Sequence, residues 1–160
     1  SLAPFNLAWL EEPIRANRPR NEWRELASIV SAPLAAGENV AGHEEFAQLI
    51  DENVIGVIQP DAAKWGGLSE CVDIGRAALK AGRRFCPHYL GGGIGLLASA
   101  HLLAAVGGDG LLEIDANDNP LRDMFSGPVA KVSNGTITLN DEPGLGFEPD
   151  LAPIEQLRTA

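Results

Sequence analysis

The sequence predicts an α/β fold: a run of βα units forming a partial TIM-type barrel, followed by a terminal β-hairpin and tail. Three observations predict it. Glu11, Glu38, Asp61, His88 and Glu113 each follow a short apolar run and precede a turn, at intervals of 27, 23, 27 and 25 residues. That interval suits one strand, one helix and two loops. The segments between them carry apolar residues at helical spacing. The run VIGVIQP (54–60) is continuous and β-branched, as expected of a parallel strand buried on both faces. Ionisable side chains at the carboxyl ends of successive parallel strands are where α/β barrels keep their chemistry. The spacing itself therefore proposes an active site of four carboxylates and one imidazole.

Each element follows in turn. A first strand ends in WLEE, and NEWRELASIV (21–30) then sets Trp23, Leu26, Ala27 and Val30 on one helical face. Pro33 restarts the chain as a strand ending at Gly37-Glu38. GHEEFAQLIDEN (42–53) reads as a helix with Phe46, Leu49 and Ile50 apolar and acids near its amino end, where the helix dipole favours them. After VIGVIQP, LSECVDIGRAALKA (68–81) forms a helix stopped by Gly82. RRFCPH supplies a strand, IGLLASAHLLAAV (94–106) the most apolar helix, and the LL before Glu113 a last strand. Successive βα units imply a parallel sheet with right-handed crossovers. Beyond Glu113 the pattern changes: AKVSNGTITLND (130–141) alternates apolar and polar residues around Asn134-Gly135, a hairpin signal, and PGLGFEPDLAP reads as a surface tail. The expected parts are a barrel segment at 1–127 and a hairpin and tail at 128–160.

With 160 residues, 45% of them apolar, and a mean hydropathy near zero, the chain can bury one core. The net charge of −10, from 22 acids against 12 bases, argues against nucleic acid or anionic membrane as a partner. Cys71 and Cys86 are too few for a disulfide framework or a zinc site and read as buried small hydrophobes. No apolar run approaches a membrane span and no signal-peptide pattern is present, so the expected location is cytoplasmic. The chain opens almost directly in a strand, without an initiator methionine, and is expected to be part of a longer protein.

Two carboxylates on neighbouring strand ends, Glu11 and Glu38, repel unless a cation or a proton lies between them. With no Cys or His beside them, hard oxygen ligands favour Mg²⁺ over zinc. Glu12 points to the opposite side of an extended strand, which favours Glu11 as the ligand. Asp61 and His88 stand on what should be adjacent strands. A carboxylate bonded to one imidazole nitrogen fixes the tautomer and raises the basicity of the other, making a general base. Lys64 and the glycines of KWGG follow Asp61, where a tight loop and a substrate contact are equally good readings. Glu113 could act as an acid opposite the dyad, with Asp115 two positions on lining the same site. LGGGIG (90–95) before a helix is a weak phosphate-cradle pattern without the Walker lysine, and backbone approach to a substrate carboxylate is the fairer reading. His43 and His101 read as structural.

Taken in order, WLEEP, AGEN, QPDAAKWGG, PHYLGGGIG and LLEID resemble the enolase superfamily, in its mandelate racemase/muconate-lactonising branch, and PGLGFEPD resembles that branch's return segment. The resemblance implies the carboxyl-terminal half of a (β/α)₇β barrel under a separate capping domain. It implies Mg²⁺ on three consecutive strand ends, with Glu11 and Glu38 as two of the ligands. It further implies a His88–Asp61 dyad moving a proton α to a carboxylate, and Glu113 as the acid on the last barrel strand. Lysine-based members carry a lysine at the Asp61 position, so Asp61 with His88 points to the dyad subgroup. The expected function is Mg²⁺-dependent dehydration of a small carboxylate substrate, a sugar acid or related hydroxy acid, in a full-length protein expected to be a homo-oligomer. The alternatives are a racemase or epimerase, a non-catalytic barrel remnant acting as an interaction module, and an unrelated phosphate-binding barrel. Lacking a third ligand, the 160-residue chain alone is expected to be inactive and to bind Mg²⁺ weakly.

Overall fold

The computed structural model describes residues 3–157; residues 1–2 and 158–160, the outer ends of the two expected parts, lie outside the described residues. Four short strands form one parallel sheet in the order β1 (Leu10–Glu11), β2 (Leu34–Ala36), β3 (Ile55–Ile58) and β4 (Arg84–Phe85). Between and after them run α1 (Arg20–Ile29), α2 (His43–Asp51), α3 (Gly67–Lys80) and α4 (Gly93–Val106). The sheet is open, and the architecture is that of a partial (β/α) barrel. None of the described helices is long and apolar enough to cross a membrane.

The strands sort their residues to two faces, because successive side chains alternate, with one slip where the β2–β3 register shifts between Leu34–Ile55 and Ala35–Val57. Leu34, Ala36, Ile55 and Ile58 face the helices and pack with Trp23 of α1, Phe46, Leu49 and Ile50 of α2, and Ile74 and Ala78 of α3. Ala35 and Val57, with Cys86 just beyond β4, form a small cluster on the other face, against Trp9. Glu11 and Gln59 share that second parity, as do Asp61 and His88 just past the strands. The strand ends therefore project polar groups on the face turned away from the helices. Helix α4, apolar all round, is covered on two sides. Leu102 joins Cys71 and Phe85, while Leu96, Leu97 and Ala100 meet Val129, Ile137, Leu139 and Phe147.

Two elements differ from expectation. No strand forms at the run before Glu113; it lies beside β4 without a ladder bond, with Leu111 N–H donating instead to Cys86 Sγ at 3.3 Å. The expected hairpin at 130–141 reduces to one antiparallel bridge, Ser133 to Thr136, about the turn at Asn134 (φ 52°) and Gly135 (φ 73°). The alternation is real, but Ile137 and Leu139 bury against α4 instead of against a partner strand. One helix was not foreseen, α5 (Pro120–Phe125). Asn119 caps it by accepting from the Leu121 and Arg122 amides, and Pro120 holds its first turn, where a missing N–H costs nothing.

Candidate active site

The ends of β1 to β4 and the loops after them bring Glu11, Glu38, Asp61, Lys64 and His88 to one rim, and Glu113, beyond α4, joins them through Tyr89. Gly37 ends β2 with φ 149°, and a Cβ there would lie 2.7 Å from the Gln59 backbone. Only glycine allows this turn, which swings Glu38 out of strand register and toward His88. Asp61 and His88 are both buried, at 5% and 7% exposure. Asp61 Oδ1 accepts the Ala63 and Lys64 amides, which fixes its carboxylate, and Oδ2 lies 2.8 Å from His88 Nδ1. The other ring nitrogen, Nε2, lies 2.8 Å from Glu38 Oε2, and Lys64 Nζ donates to the same oxygen at 2.6 Å. Glu11 Oε2 accepts from Gln59 Nε2 at 3.0 Å and Trp9 Nε1 at 3.2 Å. Glu113 Oε2 accepts the Tyr89 amide at 3.0 Å, one residue past His88.

The cluster sets its carboxyl groups apart electrostatically. Burial alone would push the Glu38 carboxyl up, but the Lys64 hydrogen bond, His88 and Asn39 outweigh it and hold it below the usual range. Glu113 goes the other way: burial raises its carboxyl, Tyr89 N–H and His88 oppose this in part, and Glu11 and Glu38 add to the rise. Burial likewise raises Glu12, with Glu38 and Glu11 adding to it against the Asn39 hydrogen bond. The Glu113 shift has a consequence for stability. Its folded carboxyl favours the proton, so its stabilising share is complete below the ordinary value of 4.5 and is lost as pH rises through the raised folded value. Glu113→Gln, which keeps an oxygen for the Tyr89 amide, is therefore expected to raise the melting midpoint at pH 7 by about 1–3 °C. That advantage should vanish in acid, and equal midpoints at both pH values would contradict it.

Asp115 is not gathered into the cluster. Its carboxylate accepts the backbone and side-chain N–H groups of Asn117, a local turn that holds it in its own loop. Two of the LGGGIG glycines, Gly93 and Gly95, are required by packing. A Cβ on Gly93 would lie 2.2 Å from the Phe125 backbone, and one on Gly95 would lie 2.1 Å from the Tyr89 hydroxyl. His43 pairs with Glu70 and stands edge-on to Trp65, and His101 Nε2 lies 3.1 Å from the Leu145 carbonyl, so neither joins the site. Both cysteines are free and buried, and burial with the Asp61 and Glu70 charges pushes the Cys71 thiol up to about 11. A cavity of about 730 Å³ opens between the β1–α1 loop and α2, bordering the cluster at Glu12 and Asn39. Its Arg18 and Arg20 are already paired, with Glu22 and with Glu45 and Glu52. Sequence reasoning missed Gln59 and Asn39. The parity of Gln59 with Asp61 along VIGVIQP was the available signal for the first; Asn39 had none beyond adjacency to Glu38.

The donors suit a divalent cation only in part. Glu11 and Glu38 are hard carboxylates on neighbouring strand ends and suit Mg²⁺ in kind. In number they fall short: among the described residues no group of three or more His, Cys, Asp or Glu is placed to hold a metal ion. Glu38 is also engaged by Lys64 and His88.

Comparison with known proteins bears on the family and the fold. The family model described as enolase C-terminal domain-like matches residues 1–153. A mandelate racemase/muconate lactonizing enzyme from Bordetella bronchiseptica RB50 superposes with a TM-score of 0.93 at 55% identity, over 97% of this chain and 44% of that one. An enolase from Pantoea ananatis, solved with bound D-gluconate and Mg, superposes with a TM-score of 0.80 at 29% identity, over 94% of this chain and 36% of that one. Arabinonate dehydratase from Saccharolobus solfataricus is 31% identical over 91% of this chain and 39% of its own length. The chain belongs to the enolase superfamily, in its mandelate racemase/muconate lactonizing enzyme family. It spans about two fifths of the length of the curated relatives it matches.

Proposed function

We propose that, in the protein carrying this chain, the cluster removes the proton α to the carboxylate of a sugar acid and expels the β-hydroxyl as water. The observation that supports this most is His88, buried with Nδ1 on Asp61 and Nε2 turned toward the Glu38 side of the cluster. Asp61 is itself fixed by two backbone amides, so it holds the ring in one orientation and one tautomer. With Nδ1–H donated to Asp61, the Nε2 lone pair can accept a proton once substrate displaces its 2.8 Å contact with Glu38 Oε2.

His88 Nε2 takes the Cα proton, and the C–H electron pair moves into the carboxylate, giving an enediolate. As that pair returns to form the Cα–Cβ double bond, the β C–O bond breaks and the hydroxide leaves with a proton as water. The enol then tautomerises to a 2-keto-3-deoxy acid. In this reading Glu113, whose carboxyl burial shifts upward, gives the proton or hydrogen-bonds the developing oxyanion. Lys64 supplies a positive charge beside the incoming carboxylate. Asp115 is given no part beyond holding its loop. Mg²⁺ held by Glu11 and Glu38, with donors beyond these residues, would offset the second negative charge of the enediolate. The arabinonate dehydratase relative and the D-gluconate bound to the Pantoea enolase support a polyhydroxy acid as substrate class.

The test is product analysis. The protein is incubated with Mg²⁺ and a panel of aldonates and aldarates, and 2-keto acid is measured as its semicarbazone. Formation of that product from at least one acid is expected. An epimerised acid without keto product would replace dehydration by racemisation, and an unchanged panel would remove the sugar-acid reading.

A further inference from the structure

We propose that Tyr89 is a positioning residue: its ring, wedged between Gly91 and Gly95, fixes the backbone amide that holds the Glu113 carboxyl group beside His88. The catalytic part of this rests on the reading of Glu113 as a proton donor or oxyanion partner. Past β4 the chain still runs beside β3, since the Cys86 and His88 amides donate to Ile58 O and Pro60 O, each at 3.1 Å. Amides alternate sides along an extended chain, so the next one, of Tyr89, faces away from β3. It donates to Glu113 Oε2 at 3.0 Å. Side chains alternate as well. His88 points into the cluster, while the Tyr89 ring packs against Leu96, Leu97 and Ala100 of α4. One residue therefore meets α4 with its ring and Glu113 with its backbone.

The glycines of LGGGIG make room for that ring. A Cβ on Gly95 would lie 2.1 Å from the Tyr89 hydroxyl oxygen, 2.2 Å from Cζ and 2.3 Å from Cε2. One on Gly91 would lie 2.7 Å from the hydroxyl and 3.0 Å from Cζ. These approaches are far inside van der Waals contact, so alanine at either position must move the ring. Burial raises the phenol and the Asp61 charge adds to the rise, while the Gly92 and Gly95 amides oppose both. From outside, Asn119 Nδ2 holds the same loop by donating to Gly91 O at 3.2 Å. A tyrosine has only two side-chain torsions, so gripping its ring leaves its backbone little freedom. Among the described residues no other group hydrogen-bonds the Glu113 carboxyl. With Oε2 on the amide, Oε1 is left for a substrate oxygen. Fixing a long, flexible glutamate before a ligand arrives lowers the ordering cost of binding.

Two readouts on the full protein test this. In ¹⁵N-tyrosine-labelled protein the Tyr89 amide resonance is assigned by its loss in Tyr89→Phe. Glu113→Ala removes the acceptor and should move that amide proton upfield. Gly95→Ala displaces the ring, keeps both hydrogen-bonding groups, and should move it in the same direction. An amide that moves in Glu113→Ala and stays in place in Gly95→Ala overturns the wedge, and one that moves in neither overturns the contact itself. The second readout is dehydration of an accepted sugar acid. Gly95→Ala and Tyr89→Leu should lower kcat about tenfold with KM within about threefold, and Tyr89→Phe, which keeps the ring, should lose no more than about threefold. Equal losses in Tyr89→Phe and Tyr89→Leu overturn the wedge, because the ring would then not be what positions the acid. Full kcat in Glu113→Gln overturns the acid reading of Glu113, and with it the catalytic part of the proposal. If the parent turns over no acid, the amide resonance decides alone. If Gly95→Ala fails to fold, Gly91→Ala, with its milder approach to the ring, is read in the same way.

Discussion

Replacing His88 by asparagine is expected to lower the rate of α-proton removal about 10³-fold while leaving substrate affinity nearly unchanged. Asparagine keeps a polar group toward Asp61 Oδ2 and removes the only imidazole of the cluster, so the loss should fall on kcat. Asp61→Asn should reproduce part of it, because the ring would lose the carboxylate at 2.8 Å that fixes its tautomer. A fall in kcat/KM that arises entirely from KM in His88→Asn would mean that the ring binds substrate and does not move its proton.

The second large effect concerns the cation. Glu38→Gln is expected to weaken Mg²⁺ by about 100-fold or more, beyond what loss of an orienting partner does. The lowered Glu38 carboxyl adds a sign that can be checked. Burial works against its charge, but Lys64, His88 and Asn39 outweigh burial, so Glu38 stabilises the fold above the ordinary value of 4.5. That share is lost as pH falls through the lowered folded value. The parent should therefore lose more stability on acidification than Glu38→Gln does, as followed by melting midpoints between neutral pH and pH 3. Parallel loss in the two proteins would contradict the ion-pair arrangement.

The βα order was legible because burial patterns differ by element. A strand such as VIGVIQP that is covered on one face by α2 and α3 and on the other by Trp9 and Cys86 must be apolar along its length, and Ile55–Ile58 is. Helices read within one or two residues of their observed bounds because one face of each, such as Phe46, Leu49 and Ile50 in α2, enters the core. The hairpin at 130–141 differs from expectation for a physical reason. Alternation reports a face that is buried, not what buries it, and Ile137 and Leu139 use that face against α4.

At the site, the five spaced residues were legible from strand ends alone. Their mutual contacts were not. Glu38 has the wrong parity for the cluster, and only the Gly37 turn brings it to His88. Glu12 was set aside on extended geometry that its positive φ does not follow. Asp115 was included on the same assumption of an extended strand, which Leu111 to Asp115 does not form. Local irregularities of one residue thus decided where three carboxylates point.

The central claim is that His88 takes the proton next to a substrate carboxylate. It is tested most directly by ¹H NMR in D₂O, following the Cα–H signal of an accepted sugar acid with the Mg²⁺-loaded protein and its His88→Asn variant. Loss of that signal with the parent and its persistence with the variant is the predicted result. Equal loss with both proteins would contradict the account, because another group would then be the base.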